Sequence, residues 1–156
     1  MAQKATTKKI ELSLRTRAMR YLVRREHSRA ELHKKLILKA SPGDNIDGLL
    51  DDLVARGWLS DSRMVEHIVH IRRNRFGVQR ITHELRQKGI AENLISEVLP
   101  QMQNSELEAA RDIWSRRFGI HPENIKEKAK QARFLQSRGF MLDVISKVLR
   151  GGDDCK

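Results

Sequence analysis

A phrase of fifteen residues is written twice in this chain, fifty residues apart. Leu85-Arg86-Gln87-Lys88-Gly89-Ile90 and Leu135-Gln136-Ser137-Arg138-Gly139-Phe140 each place a leucine four residues ahead of a glycine, a base just before that glycine and an apolar residue just after it. Ile95-Ser96-Glu97-Val98-Leu99 and Ile145-Ser146-Lys147-Val148-Leu149 close the two copies. An eroded copy precedes them: Leu36-Ile37-Leu38-Lys39-Ala40, a four-residue insertion containing Pro42 and Gly43, then Ile46, Leu49, Leu50 and Leu53. Self-similarity at this period is the mark of stacked units, each burying an apolar face against its neighbour. It places function on an extended surface more than in one deep pocket.

The periodicity inside each unit is helical. Nine amphipathic stretches fall into three groups of three: Leu12 to Glu26, Arg29 to Lys39 and Ile46 to Arg56; Asp61 to Arg75, Val78 to Lys88 and Ala91 to Met102; Ser105 to Phe118, Glu123 to Arg138 and Met141 to Arg150. Ser28 with Glu31 has the spacing of a capping box, and Gly57, Gly89, Gly119, Gly139 and Gly151 supply left-handed stops. No stretch alternates long enough for a strand. The expected fold is all-α, three tandem three-helix repeats in an elongated, curved array: repeats over 12–57, 58–103 and 104–150, a disordered basic tail over 1–11 and a flexible tail over 151–156.

Composition narrows the function classes. Only 4% of residues are aromatic, which limits any single core, and no apolar run approaches the roughly 20 residues of a membrane span. The start of the chain has no apolar signal-like core, so the reading is cytoplasmic. Cys155, the one cysteine, has no partner for a disulfide or a metal cluster. His67 and His70 share a predicted helix beside Glu66 but lack the His-Glu-x-x-His spacing of a zinc site; His27, His33, His83 and His121 read as capping, snorkelling or solvent-facing. The glycines lie at helix ends and form no phosphate loop, and Asp51-Asp52 and Asp153-Asp154 are adjacent pairs ill suited to holding two metals. No metal, no cofactor and no catalysis are expected.

Charge carries more information. The formal net charge is +11, and it alternates along the chain. Residues 1–39 hold twelve bases against three acids, 63–88 seven against two and 111–150 ten against four, while 89–110 hold four acids and no base. Solubilising charge needs no such alternation; a basic band gathered by stacking attracts phosphate backbones without reading sequence. The densest cluster is Arg72, Arg73 and Arg75, with Phe76 beside it as a possible aromatic contact. Trp58 and Trp114 are read as packing residues, Trp58 because it follows a helix stop as Ile90 and Phe140 do.

Arg75-Phe76-Gly77-Val78-Gln79-Arg80-Ile81-Thr82-His83-Glu84-Leu85-Arg86-Gln87-Lys88-Gly89-Ile90 resembles the Arg-x-Tyr-Gly-Pro-x-Arg-Ile-x-x-Glu-Leu-x-x-Lys-Gly signature of the RecX family, bacterial regulators of the RecA recombinase. Gly57-Trp58-Leu59-Ser60-Asp61-Ser62-Arg63 is similar to the family's Gly-Tyr-Leu-Asp-Asp-x-Arg-Phe segment. Arg25-Glu26-His27-Ser28-Arg29-Ala30-Glu31-Leu32 resembles its opening motif, and Arg133-Phe134-Leu135-Gln136-Ser137-Arg138-Gly139-Phe140 its closing one. The chain departs from the pattern at Phe76, Val78 and Met64, where Tyr, Pro and Phe are common; all are apolar exchanges.

The resemblance implies an elongated, three-repeat helical protein that binds along or at the end of the RecA filament on single-stranded DNA and restrains strand exchange, ATP hydrolysis and RecA-assisted repressor cleavage; a monomer without enzymatic activity is expected. It also implies direct binding to single- and double-stranded DNA. On this reading Arg72, Arg73, Arg75, Arg80, Arg86 and Lys88 supply the charge of the middle repeat, with Arg24, Arg25, Arg116, Arg117, Lys128 and Lys130 at comparable places in the outer two. The alternative is a general DNA-binding or architectural helical protein with no RecA target.

Overall fold

Helix ends organise this chain, and Ser13, Ser28, Asn45 and Asn124 each cap the start of one with a side chain. The computed structural model describes residues 12–151, within which lie eight helices and no strand: α1 Leu14–Arg24, α2 Arg29–Ile37, α3 Ile46–Ala55, α4 Asp61–Arg72, α5 Val78–Gln87, α6 Glu92–Arg117, α7 Ile125–Ser137 and α8 Leu142–Arg150. The basic tail expected over 1–11 lies outside the described residues, as do Asp153, Asp154 and Cys155 of the tail expected over 151–156. Two compact units divide at Ser60.

The first unit contains α1 to α3. Ser28 Oγ accepts from the Glu31 amide and the Glu31 carboxylate accepts from the Ser28 amide, each at 3.0 Å, which completes the expected capping box at the start of α2. Asn45 likewise caps α3 through the Gly48 amide. Ala18, Leu32, Leu36, Leu50, Leu53 and Leu59 are buried as one core. His27, expected to cap, snorkel or face solvent, is buried as well. Its Nδ1–H faces the Arg25 carbonyl at 3.0 Å and Lys35 Nζ donates to Nε2 at 2.8 Å, so the ring is held neutral.

Trp58 also departs from its expected packing role, being 43% exposed while Leu59 beside it is 1% exposed. Gly57 ends the third helix of its domain, whereas Gly89 and Gly139 end second helices. The residue after Gly57 therefore has no second-helix groove to enter. Trp58 lies instead under the guanidiniums of Arg15 and Arg56, at 5.8 and 5.3 Å, both of which pair with Asp52.

The second unit contains α4 to α8 and two cores. One is built on Met64, Val65, Ile68, Val69, Ile81, Leu85, Ile90, Ile95 and Met102, the other on Ala109, Ala110, Leu135, Phe140, Val144, Ile145, Val148 and Leu149. The single helix α6 serves both. The sixth and seventh expected helices are thus one, and the boundary expected after residue 103 falls in its middle. No glycine interrupts Gln101 to Glu108, and Ser105, expected to open a helix, turns its hydroxyl back onto the carbonyls of Gln101 and Met102. Pro100 lies within α6 on an exposed position.

Helices α5 and α8 lack a side-chain cap of their own, since Gly77 and Met141 stand at their N-cap positions. Glu106 of α6 provides it for both. Its Oε1 accepts from the Val78 amide and from the Met141 amide, each at 3.2 Å, and the side chain is buried. The neighbouring amides of α5 are taken by the end of α7: Gly77 donates to the Arg138 carbonyl at 2.8 Å and Gln79 to the Gly139 carbonyl at 3.1 Å. The positive end of one helix thereby meets the negative end of another, and donors and acceptors left over by both are satisfied.

Candidate functional site

Beside this junction lies the densest grouping of cations and aromatics in the second unit. Helix α4 ends at Arg72, three residues earlier than expected, and the chain turns through 73–77, with the Phe76 amide donating to the Arg72 carbonyl at 3.0 Å. The turn leaves Phe76 half-buried against the first apolar core. Arg80, on the first turn of α5, lies 4.2 Å from the Phe76 ring centroid, Arg138 at 5.6 Å and Arg72 at 5.9 Å. Arg138 also covers Phe134 at 5.4 Å. Arg117 lies 5.7 Å from both Phe134 and Phe118, which meet edge to face. Guanidiniums and rings therefore alternate from the end of α4 to the end of α6.

A guanidinium held near a ring keeps N–H groups for other partners, which suits phosphate and carboxylate recognition. Arg80, Arg117 and Arg138 carry no ion pair among the described residues, although Arg80 donates one N–H to the Ser137 carbonyl at 3.3 Å. Arg72 is the anchored member, pairing with Glu84 at 3.1 Å.

The residues anticipated from sequence separate on this basis. Arg72, Arg80, Arg117 and Phe76 come together in the stack; Arg73 and Arg75 lie on the adjoining turn, also without an ion pair among the described residues. Arg86 is held by Glu92 at 2.7 Å, an interaction that holds the Glu92 carboxyl below its ordinary range, and Arg116 pairs with Asp112 at 2.8 Å. Lys88 closes α5, and Lys128 and Lys130 are exposed on α7. Arg24 and Arg25 belong to the first unit, where Arg25 pairs with Glu31 at 3.3 Å.

Two residues of the site escaped the sequence reading. Arg138 had a signal, since it stands at the place in the repeated phrase that Lys88 holds in the other copy. Glu106 had none: a lone glutamate on an amphipathic helix looks like any solvated acid. Burial pushes its carboxyl up from the ordinary range, and the two amides it accepts from oppose that shift. Among the described residues no group of three His, Cys, Asp or Glu is placed to hold a metal, and no helix is long and apolar enough to cross a membrane.

Models of the first, second and third three-helix domains of RecX match residues 15–53, 60–99 and 104–149, in that order. The chain belongs to the RecX family. It is 50% identical over 143 residues to the regulatory protein RecX of Leptothrix cholodnii, a match covering 92% of this chain and 91% of that one. With the regulatory protein RecX of Ralstonia nicotianae it shares 44% over 142 residues, covering 91% and 89%. The crystal structure of RecX from Lactobacillus salivarius superposes with a TM-score of 0.75 at 21% identity, over 88% of this chain and 92% of that one, a likeness of fold. Another crystal structure of a regulatory protein RecX gives 0.74 at 25% identity, over 86% and 70%. RecX-family membership thus accounts for the three-helix grouping seen in sequence.

Proposed function

We propose that this protein is an inhibitory regulator of the RecA recombinase, acting on the filament that RecA forms on single-stranded DNA. The family supports the target, since its named members are regulatory proteins and the name RecX implies RecA. The observation that carries the contact surface is the grouping of Arg80, Arg138 and Arg117 with Phe76 and Phe134, in which the guanidiniums lie 4.2 to 5.7 Å from the ring centroids and carry no ion pair among the described residues. Phosphate backbones and acidic side chains are what such guanidiniums take.

In this reading Arg73 and Arg75 extend the surface along the 73–77 turn, and Lys128 and Lys130 add long-range attraction. Arg24 and Arg25 give the first repeat a contact of its own. The repeats over 12–57, 58–103 and 104–150 act together in one cytoplasmic monomer that binds single- and double-stranded DNA as well as the filament, and no catalytic step is involved.

The test is the rate of ATP hydrolysis by RecA on single-stranded DNA as the protein is added from far below to equal stoichiometry. A fall at small fractions of RecA supports regulation through growing filament ends, and a fall only near parity supports coating of the filament. No fall at moderate salt rejects the RecA target in favour of general DNA binding.

A further inference from the structure

The proposed surface is shared between two domains, so its geometry depends on what aligns them. Phe76 and Arg80 stand at the α4–α5 turn of the second domain; Phe134 and Arg138 stand at the end of α7 in the third. The contact of Arg138 with Phe76 spans the joint, as does the donation from Arg80 to the Ser137 carbonyl. With the Gly77 and Gln79 amides on the Arg138 and Gly139 carbonyls they tie the start of α5 to the end of α7, and none of them reaches α8.

The element common to both domains is α6, and its one buried carboxylate lies at the joint. Glu106 Oε1 holds the first amide of α5 and the N-cap amide of α8 together, and neither helix has another side-chain cap. Among the described residues no basic side chain pairs with it, and a buried acid is normally a liability. An apolar residue would fill the space, but it would leave the Val78 and Met141 amides without this acceptor and the starts of α5 and α8 no longer joined through one group.

We propose that Glu106 is a positioning residue for the arginine–phenylalanine surface: by holding the starts of α5 and α8 on one oxygen, it fixes the register that lays Arg138 over Phe76. The proposal rests on the reading of that surface as the DNA and filament contact, and deepens it. Glu106 touches no ligand itself.

The test uses the full chain with Glu106→Ala, Glu106→Gln and Arg138→Gln, binding to a fluorescein-labelled oligothymidylate followed by anisotropy across a salt series. Arg138→Gln is expected to weaken binding and to lower the slope of log affinity against log salt by about 0.7 for a lost phosphate contact. Glu106→Ala is expected to reproduce that loss, to add nothing when combined with Arg138→Gln, and to be rescued by Glu106→Gln, which keeps an acceptor oxygen. Glu106→Ala that lowers thermal stability while leaving affinity and slope intact, or that adds independently to Arg138→Gln, overturns the proposal.

Nuclear Overhauser contacts between the Phe76 ring and the Arg138 side chain separate this idea from the one beneath it. Their loss in Glu106→Ala and return in Glu106→Gln sustain the positioning role even where Arg138→Gln leaves DNA binding unchanged, a result that rejects the surface reading alone. Their persistence in Glu106→Ala rejects the positioning role. If Glu106→Ala does not fold, Glu106→Asp, one methylene too short to reach both amides, takes its place in each measurement.

Discussion

Gly77 and Gly139 lie so close that a Cβ on Gly77 would run into the Gly139 carbonyl, and a Cβ on Gly139 would run into the Arg80 side chain and backbone. This approach lets α5 donate to the end of α7, and it makes a joint between domains of Gly77, the N-cap of α5, and Gly139, a helix stop read from sequence. Gly139 has a second constraint, a φ of +84°.

Gly57 isolates that second constraint. It has a φ of +73° and nothing within 4 Å of where a Cβ would stand. Gly57→Ala is expected to cost the left-handed penalty alone, about 1–2 kcal/mol. Gly139→Ala carries the same penalty and an overpacking cost of about 1–3 kcal/mol besides. Urea unfolding of the two variants measures the difference; equal losses would mean that the glycine contact at the joint contributes nothing.

Glu106 makes stability depend on pH in an unusual direction for an acid. Its carboxyl is raised above the ordinary 4.5, so above that pH the folded chain retains a proton that the unfolded chain has released. The folded state then binds more protons, and unfolding free energy falls as pH rises through this window. Glu106→Gln removes the dependence. Its stability relative to the unsubstituted chain should rise from about pH 4 towards neutrality, as followed by denaturant midpoints.

His27, in the first unit, gives the opposite dependence. Burial, the largest cause, lowers its pKa below 6.5, and nearby Arg25 and Lys35 oppose its charge as well. As pH falls below 6.5 the unfolded chain takes up the proton first, and stability present above that value is lost down to the lower folded pKa. His27→Gln should therefore flatten the stability of the first unit between about pH 7.5 and 5.5, the range in which a free imidazole titrates. A slope unchanged by the substitution would assign the loss to another group.

For the contact surface, reversing Arg72, Arg73 and Arg75 together to Glu is expected to abolish inhibition of RecA with helical circular dichroism unchanged. A finer comparison uses one arginine at a time. Arg138→Gln should weaken inhibition by about two- to thirtyfold, in keeping with the 0.5–2 kcal/mol range of a cation held over rings. Arg116→Gln, which removes a partner of Asp112 outside the ring stack, should change it little. Equal effects from the two would dissolve the distinction between stacked and ion-paired arginines.

Helix type, the grouping in threes, the stops at Gly57, Gly89 and Gly139 and the Ser28–Glu31 cap were all legible from residues a few positions apart, because a helix is decided by spacings of three and four along the chain. The family motifs followed from the same local strings. What local spacing does not contain is contact between distant residues. The fusion of two expected helices into α6 depends on one helix lining two cores, and the exposure of Trp58 on which helix of its domain Gly57 closes. Arg138 joined the stack, and Glu106 became a shared cap, only when α5, α6, α7 and α8 were brought together. A side chain's neighbours across a joint are set by burial of apolar surface on every helix at once, and no single stretch of sequence carries that information.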